Sequence, residues 1–121
     1  MSKKARLRLA AARARVEALR AEIASLDLIV NGTMAKRTKV CGKAACPCAR
    51  DPAARHGPYY EWGRMEAGER STVVVSPEKG RRLEQALRNR RRLDVLLRRW
   101  MRESVRVIDA EIDLSVDGER S

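Results

Sequence analysis

The sequence predicts an α+β protein in which a small three-stranded antiparallel β module lies between two long helices. Three observations support this. Both ends of the chain show helical hydrophobic spacing, the middle contains short β-branched runs separated by turn residues, and all three cysteines lie close to the single histidine. We expect the helices to form either a helical hairpin or a dimeric coiled coil.

Length and composition limit the size of the core. A chain of 121 residues forms at most one ordinary domain. Phe is absent and aromatic residues make up only 3%, so few large side chains are available for burial. A chain of this kind needs an additional source of stability, such as a bound metal or a partner.

The net charge points to a polyanionic partner. There are 27 Lys and Arg against 16 Asp and Glu, for a formal charge of +11 and a sequence pI near 10.6. Such a balance fits nucleic acid, and less often an anionic membrane surface. The alternative is that the arginines merely occupy the solvent-exposed faces of the helices.

The sequence predicts a cytoplasmic protein. No run of eighteen apolar residues is present, and the basic N-terminus lacks the apolar core of a secretory signal. The odd number of cysteines argues against a closed disulfide framework.

Residues 1–31 are predicted to form an amphipathic or coiled-coil helix that ends near Asn31-Gly32. Residues 3–29 contain neither Gly nor Pro. The apolar positions are separated by three and four residues in turn, which is typical of a coiled-coil strand, although an amphipathic helix packed on its own domain is the alternative. These positions are Leu9, Ala12, Val16, Leu19, Ile23, Leu26 and Val30.

Residues 32–75 are predicted to form the β module. The segments TMAKRTKV, PYYEWGRM and RSTVVV each read as a strand, with a turn at Gly68 between the last two. The cysteine-rich loop follows the first strand. Because side chains alternate along a strand, Tyr60 and Trp62 should share one face and Tyr59 and Glu61 the other.

Residues 76–113 are predicted to form a basic C-terminal helix, and residues 114–121 an acidic tail. Ser76 is a suitable N-cap, with Pro77 at the first helical position. The helix is apolar on one side and about 50 Å long, so it needs an equally long partner. We therefore expect a homodimer. The apolar stripe includes Leu83, Leu87, Leu93, Leu97, Trp100, Met101, Val105, Ile108 and Ile112.

The cysteines and the histidine have the spacing C-x4-C-x-C-x7-H. Three thiolates and one imidazole form a complete tetrahedral ligand set for structural zinc. The ligands are Cys41, Cys46, Cys48 and His56. Lys39 and Lys43 would favour the ionised thiolates. The metal would staple the β module and supply folding free energy. A redox-active thiol pair and unligated buried cysteines are the alternatives.

No motif indicates catalysis. Four protein ligands would close the coordination shell, whereas a catalytic metal keeps a position for water. Glu61 is the nearest downstream carboxylate, and nothing marks it as a general base. We expect a protein that is not an enzyme.

The motifs C-G-K-x-x-C-x-C and H-G-P-Y-Y-x-W, followed by a strand and an S-P-E helix start, resemble an uncharacterised family of small bacterial proteins. The family is catalogued as a domain of unknown function, and its members often occur near mobile genetic elements. The resemblance covers residues 31–100. This sequence departs from the family at Gly68–Ser71, where G-E-R-S replaces the usual G-K-T.

Together these features predict a non-enzymatic, zinc-containing accessory protein that binds nucleic acid, most simply DNA. The alternative is a coiled-coil adaptor between proteins, in which the positive charge is not used for nucleic acid. The strand cations Lys36, Arg37 and Lys39 are expected to contribute more than Arg98, Arg99 and Arg102. The predicted nucleic-acid-binding residues are Lys36, Arg37, Lys39, Lys43, Tyr59, Arg64, Arg98 and Arg99.

Overall fold

The computed structural model describes residues 2–120 and the side chains of residues 3–116. The predicted α+β class and three-stranded antiparallel sheet are confirmed. The chain divides into two compact units: the β unit, Leu28–Arg90, and the helical unit, which is the described chain on either side of it. The elements are α1 (Ser2–Ser25), β1 (Thr33–Lys39), β2 (His56–Glu66), β3 (Glu69–Val75) and α2 (Pro77–Arg120).

Helix α1 ends at Ser25, six residues before the predicted end at Asn31. The next residues instead form hydrogen bonds within the β unit. The Val30 N–H donates to the Ala86 carbonyl at 3.4 Å, and the Asn89 side-chain amide donates to the Leu28 carbonyl at 2.8 Å. These bonds hold the segment outside a helix, so the assignment of Leu26 and Val30 to the helical seam is wrong.

The helical unit is built on the apolar positions of α1. Ala12 and Val16 are buried against Val107 of α2, with Leu9 and Trp100 packed around them. These five positions recur at helical spacing within each helix, so the cluster uses one face of α1 and one face of α2.

Ion pairs also connect α1 to α2. Arg8 pairs with Asp113 at 2.8 Å, and Arg15 pairs with Glu103 at 2.8 Å. Nearer the end of α1, Glu22 pairs with Arg92 at 2.5 Å. Successive positions along α1 therefore pair with progressively earlier positions in α2, as in an antiparallel contact between two helices.

Helix α2 begins where the sequence predicts and extends further. The Lys79 N–H donates to the Ser76 hydroxyl at 3.2 Å, so Ser76 is the N-cap. The helix continues to Arg120, past the predicted end at residue 113, and residues 113–117 contain neither Pro nor Gly. The predicted acidic residues Asp117 and Glu119 lie outside the described side chains. No helix in residues 2–120 is long and apolar enough to cross a membrane.

The sheet has the order β1-β2-β3, and its register assigns each side chain to a face. Tyr60 pairs with Lys36 and Val75, and Trp62 pairs with Met34 and Val73. Directly paired residues share a face, so these side chains form the inner face, where Tyr60 and Trp62 are buried. Tyr59 and Glu61 lie on the outer face, as the alternation predicted.

Helix α2 reaches the inner face at Gly80. An added Cβ at this position would lie 2.4 Å from the Tyr60 ring, which is closer than two carbon atoms can approach. Gly80 and Tyr60 are both buried. The missing side chain therefore allows the first turns of α2 to pack directly on the ring.

Candidate metal centre and the basic outer face

The metal-ligand candidates lie where β1 leaves the sheet and β2 enters it. Lys39 at the end of β1 pairs with His56 at the start of β2, so the pairing brings Cys41 close to the histidine. Cys46 and Cys48 flank Pro47, the first residue of a short 3-10 helix, Pro47–Ala49. A second one, Pro52–Ala54, returns the chain to His56.

The four side chains converge. The Cys41 and Cys48 sulfurs are 3.5 Å apart, and the Cys46 sulfur is 3.3 Å from the His56 Nε2. All four ligand atoms lie within 4.8 Å of one another. A zinc ion with Zn–S bonds of about 2.3 Å would set sulfur–sulfur separations of about 3.8 Å in a tetrahedral shell. The cluster is therefore a candidate metal site of suitable size.

Local hydrogen bonds hold the cluster in place. The Cys41 backbone N–H donates to the Cys48 sulfur at 3.4 Å, and Cys48 is the buried member of the set. The Ala53 N–H donates to the Asp51 carboxylate at 3.0 Å and caps the second 3-10 helix. The sulfurs and the imidazole are thus positioned by backbone as well as by side-chain contacts.

The thiols have unequal acidity. The pKa of Cys46 is lowered to about 6, mainly by a hydrogen bond from the Cys48 backbone N–H and then by the Cys48 thiol and the His56 ring. At Cys48, the N–H of Cys41 lowers the pKa, but burial and the neighbouring thiols outweigh it and the pKa is raised. Neighbouring sulfurs resist joint ionisation, and a bound cation would remove that resistance.

On the outer face, two of the predicted nucleic-acid-binding cations share one carboxylate. The Arg37 guanidinium lies 3.2 Å and the Lys39 ammonium 3.6 Å from Glu61. Lys39 also lies 5.2 Å from the centre of the Tyr59 ring. The cations remain accessible, with side chains 64% and 51% exposed, whereas the Glu61 side chain is only 19% exposed.

Lys36 does not join this pair. It lies on the inner face, with its ammonium 5.2 Å from the centre of the Tyr60 ring. The sequence interpretation treated the three strand cations as one cluster. The two-residue alternation that separated Tyr59 from Tyr60 would have separated Lys36 from Arg37 as well.

Arg70 was missed by the sequence interpretation. It pairs with Met65 on the outer face, and its guanidinium extends over Gly63, 3.2 Å from the position that a Cβ would occupy there. Only the register of β2 with β3 reveals this placement, since Arg70 lies far from the cysteine motif in sequence. We call Arg37, Lys39 and Arg70 the outer-face cations.

The remaining predicted residues lie elsewhere. Arg64 stacks on Trp62, 3.9 Å from the ring centre, and pairs with Glu66 at 3.1 Å. Lys43 is exposed in the loop between the first two cysteines. Arg98 and Arg99 are exposed on α2 in the helical unit. Within the β unit, the predicted residues therefore do not all lie on one face of the sheet.

Positive charge is concentrated in the β unit. It contains thirteen Lys and Arg against six Asp and Glu, a formal +7 in about half of the chain. The helical unit contains fourteen against ten, a formal +4, and several of those residues pair with one another. The unit that holds the cysteine cluster is thus the more basic of the two.

The fold and the site define an α+β protein with a candidate Cys3His metal centre on a small antiparallel sheet. Residues 8–85 match the family described as a domain of unknown function, DUF6788, and the chain belongs to that family. The family membership expected from the motifs is thereby confirmed. Searches of curated proteins and of solved structures gave no match.

Proposed function

We propose that this is a non-enzymatic, zinc-containing accessory protein that binds nucleic acid, most simply duplex DNA, through its β unit. The convergence of the three sulfurs and one imidazole nitrogen within 4.8 Å carries the proposal. Thiolate and imidazole ligands in a tetrahedral arrangement select zinc over harder cations such as magnesium.

Zinc acts here as a structural ion. Its four protein ligands would complete the coordination shell, which leaves no position for a water nucleophile. The ion would join the end of β1 to the start of β2 and the intervening loop. Few large side chains of the β unit are buried, so metal binding would supply folding free energy that the core lacks.

The outer face supplies the phosphate contacts. Arg37 and Lys39 are exposed and oriented by Glu61, and Arg70 is held across Gly63. Side chains that are already ordered lose less entropy on binding. With the formal +7 of the β unit, this surface favours a polyanion over an uncharged partner.

Elemental analysis tests the metal. Protein prepared without chelator should contain about one zinc per chain, as a closed four-ligand site requires. Cys46→Ser should lose most of it, whereas Lys43→Ser, a change at an exposed non-ligand in the same loop, should retain it. Metal-free wild-type protein, or equal zinc in both variants, would refute the structural zinc site.

Salt-dependent titration of a labelled duplex of arbitrary sequence tests nucleic-acid binding. The logarithm of the binding constant should fall linearly with the logarithm of salt concentration, by about 0.9 per phosphate contact. Replacing the outer-face cations with Ala should reduce that slope by about 2–3. The charge-matched control is the triple Ala variant of Arg91, Arg98 and Arg99, which lie on α2 in the helical unit.

The outcomes distinguish nucleic-acid binding through the β unit, nucleic-acid binding through α2 and a role as a protein adaptor. A larger loss in the helical variant would place the contact on α2 and leave the β unit as a scaffold. Wild-type protein that shows no salt-dependent binding would overturn the nucleic-acid proposal and favour the protein adaptor. Circular dichroism of both variants checks that the loss of charge has not unfolded either unit.

A further inference from the structure

Helix α2 is apolar on two sides within the helical unit. Leu96, Val107 and Ala110 are buried on the side that meets α1. A second set recurs at steps of three and four residues, about 160° around the helix from the first. This set, which we call the outer stripe, consists of Leu97, Met101, Val105, Ile108, Ile112 and Val116.

The outer stripe is exposed along its whole length. Its side chains are 38–61% exposed, and the stripe extends for about 29 Å at 1.5 Å per residue. Isolated exposed apolar side chains are common, but a continuous row of six large ones marks an interaction surface. A row with this spacing fits the apolar side of another helix.

We propose that the outer stripe binds the outer stripe of a second copy of this chain, with the two helices antiparallel. In this arrangement Leu97 meets the partner's Val116, and Met101 meets the partner's Ile112. Val105 and the partner's Ile108 lie next to the twofold axis. Every member of the stripe then has an apolar counterpart, as a self-complementary twofold interface requires.

The charges beside the stripe select the antiparallel direction. Arg102 and Asp109 flank the stripe on the same side and are exposed, and neither has an ion-pair partner among the side chains of residues 3–116. The antiparallel arrangement places Arg102 beside the partner's Asp109, and symmetry repeats the pair. A parallel twofold arrangement would instead place Arg102 and the partner's Asp109 on opposite sides of the interface and about 10 Å apart along the helix axes, so neither charge would gain a partner.

Sedimentation equilibrium without nucleic acid tests the interface. Wild-type protein should be dimeric at about 50 μM, a concentration that exceeds micromolar dissociation constants. Ile108→Glu should be monomeric, because symmetry places two carboxylates in the centre of the apolar interface. The matched control is Leu7→Glu, which changes an equally exposed apolar residue on α1 and should remain dimeric. Circular dichroism should show unchanged helix content in both variants.

Charge reversal tests the direction. Arg102→Asp and Asp109→Arg should each raise the dimer dissociation constant by about 3–10-fold, because each places like charges together. The double variant should return it to within about twofold of wild type. Monomeric wild-type protein would overturn the proposal and leave the stripe to a different protein. A dimer insensitive to Ile108→Glu, or one that the double reversal does not restore, would overturn the interface or its direction.

Discussion

A single missing methyl group at Gly80 determines how closely α2 approaches the sheet. Ala is normally favoured over Gly inside a helix by roughly 0.5–1 kcal/mol. Here the added Cβ would overlap the Tyr60 ring. Gly80→Ala should therefore lower the free energy of unfolding by about 1–3 kcal/mol, the usual range for overpacking, as measured by urea denaturation. Arg81→Ala, one residue further along the exposed surface, should change it by less than about 0.5 kcal/mol.

Glu103 is a buried charged residue of the helical unit, and it accepts hydrogen bonds from Arg15 and Arg106. The hydrogen bond from Arg15 is the main cause that lowers the pKa of Glu103, opposed by burial and reinforced by the charge of Arg106. A lowered folded-state pKa stabilises the fold above the unfolded value, about 4.3, and that contribution is lost as the pH falls through the folded-state value.

Glu103→Gln should thus lower the free energy of unfolding by about 1 kcal/mol at pH 7, since both arginines are largely exposed. The difference from wild type should be constant from pH 6 to 8 and shrink below about pH 4.3. Urea denaturation across that range measures it. Glu17→Gln removes an exposed pair with Arg20 and is the control, with little expected effect at any pH. If the difference in the free energy of unfolding between Glu103→Gln and wild type persisted at low pH, the pairing of the Glu103 carboxylate with the arginines would not be its cause.

At the scale of elements, we expect metal removal to unfold the sheet while the helical unit stays folded. The chain has two tryptophans, Trp62 in the sheet and Trp100 in the helical unit, so one reporter lies in each. In Trp100→Phe protein, chelation should shift the Trp62 emission to longer wavelength as its buried site opens. In Trp62→Phe protein, the Trp100 emission should stay constant and most of the helical circular dichroism should remain. A simultaneous shift of both tryptophans would show that the units unfold together.

Local chemistry accounts for the elements that the sequence predicted. Ser76 identifies the start of α2 because a hydroxyl before Pro77 can cap only that turn. The alternation of Tyr60 and Trp62 follows from strand geometry, whatever packs on the sheet. Likewise, the spacing of the cysteines and His56 implies a common site before any distance is known.

The elements that were mispredicted depend on contacts distant in sequence. Helix α1 ends early because Leu28 and Val30 bond to residues of α2 about sixty positions later. The position of Arg70 depends on the register between β2 and β3, which the sequence alone does not define. Helix and strand propensities depend on residues that are neighbours in sequence. The end of α1 and the position of Arg70 depend instead on contacts between segments that are distant in sequence.

At the scale of the whole molecule, the two proposed activities lie in different units. The metal site and the outer-face cations belong to the β unit, and the outer stripe belongs to the helical unit. Chelation should therefore weaken binding to duplex DNA by at least tenfold, about 1.4 kcal/mol, because the cations lose their fixed positions. Sedimentation of the same chelated sample should still show a dimer. Loss of the dimer on chelation would mean that self-association requires the β unit.

The contact between Gly80 and Tyr60 also has a consequence for variation among homologous sequences. A helix position that excludes alanine is unusual, and the exclusion holds only while an aromatic ring occupies position 60. Relatives with Ala or Ser at position 80 should carry a smaller side chain at position 60, and the two positions should change together. Such paired substitution would be visible across the family even where the rest of α2 varies freely.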